Sequence, residues 1–327
     1  MRFDGASIFV TGGSRGIGKA IALRFAELGA TRVAIGYLRN DRAAEAAAEE
    51  LRGVGAEPVL VRGNVSSERV AREVAGLGPL TALIHNAATG VIRPALEVEK
   101  KHWDWTLDAN SYALLALAKV AAPQMQPGSS IVGLSSLGST RVLENYVAVG
   151  TSKAALESLV RYLAVELAPR GIRVNAVSAG VVETEALEHF PNRDEMVRIG
   201  RERTPAGRLV EPADVADAVT WLCSPEAEMV CGHTLVVDGG FSLLAQLGRG
   251  ADRLQPAGLG RDPPPPRRGD GGSTGDPARD SGAATGARGQ ARAPPAVRDR
   301  RVDGGAGRAR RARHRRRRFR GGDRGGA

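Results

Sequence analysis

The chain reads as an α/β protein, with one doubly wound domain on a seven-stranded parallel sheet over residues 1–248 and a disordered tail over 249–327. Three observations predict this. Short apolar runs of strand length alternate with longer stretches of helical period from Ser7 to Val237, a pattern that right-handed crossovers turn into a parallel sheet with helices on both faces. A glycine-rich turn joins the first strand to the first helix. Near residue 249 the composition changes abruptly to arginine, glycine, proline and alanine without apolar periodicity, and such a segment cannot bury enough surface to offset its ordering entropy.

The first strand is expected at Ser7–Thr11, followed by the turn Gly12 to Gly18, after which Ile17, Ile21, Phe25 and Leu28 recur at helical spacing. Further strands are expected at Arg32–Gly36, Glu57–Arg62, Thr81–His85, Ser130–Leu134, Arg173–Ser178 and Thr234–Val237, with helices between them. A doubly wound sheet of this size is commonly one domain. Its ligand crevice lies beyond the carboxyl ends of the strands, where the glycine turn, Asn86, Ser136 and Val182 all fall.

Glycines between a strand and a helix permit a tight turn and close backbone approach, and the free N–H groups of the helix start favour a pyrophosphate. Gly12, Ser14, Arg15, Gly16, Ile17 and Gly18 therefore read as a dinucleotide loop of Rossmann type. The second strand ends in Tyr37, Leu38, Arg39 and Asn40, with no acid where one would hold a ribose 2′-hydroxyl. Arg39, with Arg15, can instead pair with a 2′-phosphate, because a guanidinium matches phosphate oxygens bidentately. NADPH is the expected cofactor.

Tyr146 and Lys153 lie seven residues apart. On a helix that separation is almost two turns, about 10 Å at about 1.5 Å per residue, so both side chains share one face. A phenol near its ordinary pKa of about 10 is a weak acid-base group at neutral pH, and a neighbouring ammonium lowers that value by stabilising the ionised form. Lys153 is placed to supply that charge.

With these pieces the chain resembles the short-chain dehydrogenase/reductases from residue 1 to about 247. The family's TGxxxGxG loop is matched by Thr11, Gly12, Gly16 and Gly18, its adenine-contacting position by Asn64 and Val65, and its NNAG segment by His85, Asn86, Ala87 and Ala88. Asn110 matches the active-site asparagine, Ser136 the serine and Lys153 the lysine; the segment Ser178 to Thr184 resembles the loop whose Val182 backbone and Thr184 hold the nicotinamide carboxamide. Most members place tyrosine four residues before the lysine, where this chain has Val149. The Y-x6-K arrangement resembles the enoyl-acyl-carrier-protein reductases, most closely the NADPH-dependent type III, in segments such as RPALEVEKKHWDWT and TPAGRLVE.

That resemblance implies hydride addition to the β-carbon of a trans-2-enoyl thioester, with negative charge accumulating on the thioester oxygen. Tyr146 is the expected donor to that oxygen, and Lys153 the expected partner of the nicotinamide ribose. Ser136 is either a direct catalytic contact or structural, since its usual tyrosine partner at position 149 is absent. Asn110 is either part of a catalytic relay or bonded to backbone across a distorted helical turn. His85 reads as a core histidine. A ketoacyl thioester or other carbonyl reductase of the same fold is the alternative activity. The resemblance also implies acyl carrier protein as substrate carrier, a homodimer or homotetramer, and a mobile substrate lid from Val182 to Arg208, including Phe190 and Pro191.

Charge follows the same division. Residues 1–248 carry 25 basic and 28 acidic residues, a net of −3, whereas residues 249–327 carry 21 arginines and eight aspartates, a net of +13. The basic balance belongs to the tail, and contact of Arg308 to Arg320 with nucleic acid is weighed below an extension unrelated to the enzyme. Cys223 and Cys231 fit neither a disulfide framework nor a metal set and are expected as reduced packing residues. No apolar run reaches spanning length and the start lacks a secretory pattern, so a cytoplasmic protein that does not enter membranes is expected. The helix from Thr151 to Pro169 is apolar on two sides, which calls for the sheet on one and a neighbouring subunit on the other.

Overall fold

The structure, a computed structural model, describes residues 1–185, 187 and 193–244. The expected tail, and Phe190 and Pro191 of the expected lid, lie outside the described residues.

The strands are β1 Ser7–Thr11, β2 Arg32–Tyr37, β3 Glu57–Arg62, β4 Ala82–His85, β5 Ser130–Ser136, β6 Arg173–Ala179 and β7 Thr234–Val237. All pair in parallel in the order β3-β2-β1-β4-β5-β6-β7. The helices are α1 Gly16–Glu27, α2 Asp41–Gly53, α3 Glu68–Ala75, α4 Lys100–Leu107, α5 Ala113–Ala121, α6 Val147–Leu167, α7 Arg193–Arg203 and α8 Pro212–Cys223. Side chains on one strand alternate between faces, so each strand feeds two cores. Ile8 and Val10 of β1 join Phe25 of α1, Leu51 of α2 and Val219 of α8 in one. Phe9 turns the other way, toward Val74 of α3, Leu117 of α5 and Val160 of α6. Strands covered on both faces read as continuous apolar runs, which explains why the alternation of elements is so legible here.

Helix starts follow local chemistry. Asn40 accepts a hydrogen bond from Ala43 N at 3.0 Å at the head of α2, and Ser67 caps α3 through Val70 N. Strand ends depart from expectation where partners decide them: β5 runs two residues past Leu134 because Ser135 and Ser136 pair with Ser178 and Ala179 of β6. Their polar character reads as a turn in sequence, while the neighbouring ladder keeps them extended. Strand order reverses between β1 and β4, and the carboxyl ends of β1, β4, β5 and β6 gather Gly12, Asn86, Ser136 and Gly180 at one edge. Cys223 is buried, its thiol pushed up to about 12 by burial, but Cys231 is exposed rather than packed. Among the described residues no helix is long and apolar enough to cross a membrane.

Candidate active site

The glycine turn after β1 is held from the side by the end of β4. Thr11 Oγ1 accepts hydrogen bonds from Asn86 N at 3.0 Å and Ala87 N at 2.9 Å. Its own proton is then left for His85 Nδ1 at 3.3 Å, which assigns the imidazole proton to Nε2. Asn86 Nδ2 donates to Thr11 O and Gly12 O, tying the loop to β4. Gly12 and Gly16 adopt φ of 65° and 54°, a region open chiefly to glycine. Gly18 is required by space, since a Cβ there would lie 2.1 Å from Gly12 O. No side chain caps α1 and no acid occupies its first turn, so the N–H groups of Gly16, Ile17 and Gly18 remain available to an anion. Ser14 is half-buried in the turn and Ala88 is exposed just beyond Asn86. These features fit a dinucleotide pyrophosphate.

At the end of β2, Tyr37 lies beside Arg62 of β3 and donates to Asp41 Oδ1 at 3.0 Å, while Arg62 Nε stands 3.5 Å from the same carboxylate. Arg39 is exposed and has no ion-pair partner among the described residues. Arg15 meets Glu185 at 2.5 Å. Sequence reading missed Asp41, Arg62 and Glu185; the register of β2 against β3 was the one signal that could have placed Arg62. Asn64 Oδ1 accepts from Ser66 N at 3.2 Å and Ser66 Oγ at 3.1 Å, and Val65 packs against the second core.

On the catalytic side the expectation about Tyr146 needs correction. Tyr146 is the residue preceding α6, with φ −102° and ψ 11°, and does not lie within the helix. Its ring covers Gly138, where a Cβ would come within 2.5 Å of Cε1. Burial raises its phenol pKa above the ordinary value, and the Ser136 hydroxyl opposes that rise by hydrogen bonding. Lys153 instead donates from Nζ to Leu134 O at 2.7 Å. It is 5 % exposed, and burial brings its pKa down to about 8 against the opposing charge of Glu157. Burial, followed by the Lys153 charge, holds His85 down at about 3, a neutral core imidazole.

Asn110 sits in a π turn, Asp108–Tyr112, between α4 and α5. Its Oδ1 accepts from Thr89 N and its Nδ2 donates to Thr89 O and to Ser152 Oγ, each at 2.8 Å. The side chain thus binds the segment after β4 to α6, one residue before Lys153. Val149, at the usual tyrosine position, is buried against Gly90. Beyond β6, Val182 forms an isolated parallel bridge to Val210, and Thr184 approaches Gly16, its Cγ2 3.7 Å from where a Cβ would stand. The glycine turn, Asn86 and Ser136 thus stand at the carboxyl ends of β1, β4 and β5, with Tyr146 at the head of α6, Lys153 against Leu134 of β5 and Thr184 beside Gly16.

The protein-family model described as enoyl-(acyl carrier protein) reductase matches residues 12–242. The chain is 37 % identical over 243 residues to 1-cyclohexenylcarbonyl-CoA reductase of Streptomyces collinus, covering 72 % of this chain and 86 % of that one. It is 34 % identical over 245 residues to L-xylulose reductase of Bos taurus, covering 74 % and 98 %. Among solved structures, a short-chain dehydrogenase from Burkholderia cenocepacia J2315 in complex with NADP superposes with a TM-score of 0.67 at 30 % identity, over 74 % of this chain and all of that one.

Proposed function

Because the chain belongs to the short-chain dehydrogenase/reductase family of oxidoreductases, we propose that it uses NADPH to reduce the trans-2 double bond of an enoyl thioester, as an enoyl-acyl-carrier-protein reductase. The observation that carries this reading is the displaced tyrosine: Tyr146 stands at the head of α6 while Val149 fills the position from which relatives with the commoner spacing act on carbonyls. The name of the Streptomyces collinus relative supports it, since 1-cyclohexenylcarbonyl-CoA carries a carbon-carbon double bond beside a thioester carbonyl.

Bound NADPH supplies the hydride that adds to the β-carbon. Gly12, Ser14, Arg15, Gly16, Ile17 and Gly18 hold its pyrophosphate, Tyr37 and Arg39 border its 2′-phosphate, and Asn64, Val65, Asn86 and Ala88 line its adenosine half. Val182 and Thr184 hold its carboxamide. Charge then develops on the thioester oxygen, the Tyr146 hydroxyl donates to it, and uptake of a solvent proton at the α-carbon would complete the saturated thioester. A phenol whose pKa is raised by burial stays protonated at neutral pH, which suits a donor better than the lowered value expected from sequence. Ser136 orients that hydroxyl, Lys153 binds the ribose hydroxyls, and Asn110 fixes the backbone around Lys153.

The proposal is tested by product identification after NADPH oxidation with crotonyl and acetoacetyl thioesters. Saturated acyl product from the first supports it; turnover of the acetoacetyl thioester alone favours the second reading, a carbonyl reductase, for which the similarity to L-xylulose reductase speaks. NADPH is expected over NADH by at least about tenfold in kcat/KM, because a phosphate–guanidinium hydrogen bond contributes about 1.5–3 kcal/mol. Equal kcat/KM for the two cofactors would overturn that assignment.

We also propose residues 1–248 as the catalytic domain. Removal of residues 249–327 is expected to leave NADPH turnover and Tm nearly unchanged; an insoluble or inactive truncation would contradict it. Tyr162 and Val165 are 69 % and 76 % exposed on the outer side of α6, which supports a homo-oligomer covering that side.

A further inference from the structure

Glu157 is a buried acid that the proposed chemistry leaves unused. The residue is 8 % exposed, and a buried carboxylate is costly unless it is paired and hydrogen-bonded. It accepts a hydrogen bond from Ser135 Oγ at 2.5 Å. Ser135 follows Leu134 on β5, and the Leu134 carbonyl receives the Lys153 ammonium at 2.7 Å. Glu157 follows Lys153 by four residues in α6, one turn along the same face. Two adjacent strand residues thus hold two helix residues of opposite charge, both almost withdrawn from water.

Among the described residues, the other groups around Lys153 carry no compensating charge. His85 at the end of β4 is neutral, and Tyr146 at the head of α6 is a protonated phenol. The π turn contributes Asn110, with Asp108 exposed, and β6 places the uncharged Ser178 opposite Ser135. Lys100 and Asp104 of α4 are exposed and pair with each other, as Lys101 does with Glu99.

We infer that Glu157, fixed by Ser135, is a positioning residue for Lys153: its carboxylate is the buried counter-charge that keeps the ammonium protonated and held against the Leu134 carbonyl, where it meets the nicotinamide ribose. The inference rests on the reading of Lys153 as the cofactor-anchoring cation. Burial alone draws the proton off Lys153, and Glu157 opposes it. A function that needs the ammonium is complete below the lysine pKa and lost as pH rises through it, so removing the carboxylate moves that loss to lower pH.

The test uses the full-length protein with Glu157→Gln, which keeps the side-chain volume and an oxygen for Ser135. NADPH affinity is followed by nicotinamide fluorescence across the neutral and alkaline range, beside NADPH oxidation with whichever thioester the wild type reduces. Wild-type affinity is expected to fall as pH passes about 8. In Glu157→Gln the fall is expected at least about one pH unit lower, an approximately fivefold loss of affinity at the wild-type midpoint that approaches tenfold at higher pH. Ser135→Ala, which frees the carboxylate without removing it, is expected to shift the fall in the same direction by less. An unmoved alkaline limb in Glu157→Gln, or an equal loss at every pH, overturns the inference; if that variant does not fold, an unmoved limb in Ser135→Ala does so. The binding titration needs NADPH alone, so it decides the role of Glu157 even if no thioester is reduced and the enoyl reductase reading fails.

Discussion

Tyr146→Phe is expected to lower kcat about 10²-fold or more while NADPH still binds. Loss of one donor to a developing oxyanion typically costs about 2.7–4 kcal/mol in the transition state, a cost that falls on kcat when the contact forms only there. The substitution keeps the ring that covers Gly138, so packing at the head of α6 survives and the missing hydroxyl is the change measured. Crotonyl-thioester-dependent NADPH oxidation, beside NADPH binding by fluorescence, reads the two effects separately. Near-wild-type turnover would remove Tyr146 as principal donor and move that role to Ser136 or another group. Val149→Tyr supplies the commoner spacing while retaining Tyr146, and it is expected not to create efficient ketoacyl reduction, because that position is packed against Gly90.

Gly18→Ala is expected to abolish most cofactor binding. The added methyl would stand 2.1 Å from Gly12 O and 2.5 Å from Asn86 Nδ2, and these two atoms are themselves hydrogen-bonded partners. Neither can move without releasing the loop from β4. Forcing a methyl into a tightly packed site costs about 1–3 kcal/mol, or roughly 5- to 150-fold in NADPH affinity if the loop escapes by leaving its binding conformation. Gly53→Ala is the control, because nothing lies within 4 Å of its Cβ position and alanine favours the helix. Fluorescence titration and Tm together check the pair; unchanged NADPH affinity in Gly18→Ala would show that the loop is not the pyrophosphate site.

The seven strands, the intervening helices and the glycine turn were legible because each has a local cause. A strand covered on both faces must be apolar throughout, a helix must repeat its apolar face every three or four residues, and a strand-to-helix turn around an anion needs glycine. The spacing of Tyr146, Val149 and Lys153 belongs to the same class of information. What the tertiary structure alone decided depends on groups distant in sequence and on burial, which leave no local mark. Ser135 and Ser136 are strand because β6 pairs with them. Asn110 spends its side chain on Thr89 and Ser152, and Arg15 faces Glu185 170 residues away. Lys153 turns to the Leu134 carbonyl, and the Tyr146 phenol is raised by burial where its spacing from a lysine suggested the opposite. Sequence spacing sets which residues share an element; how much water each retains, and which charge lies beside it, is fixed only when the sheet and helices close around them.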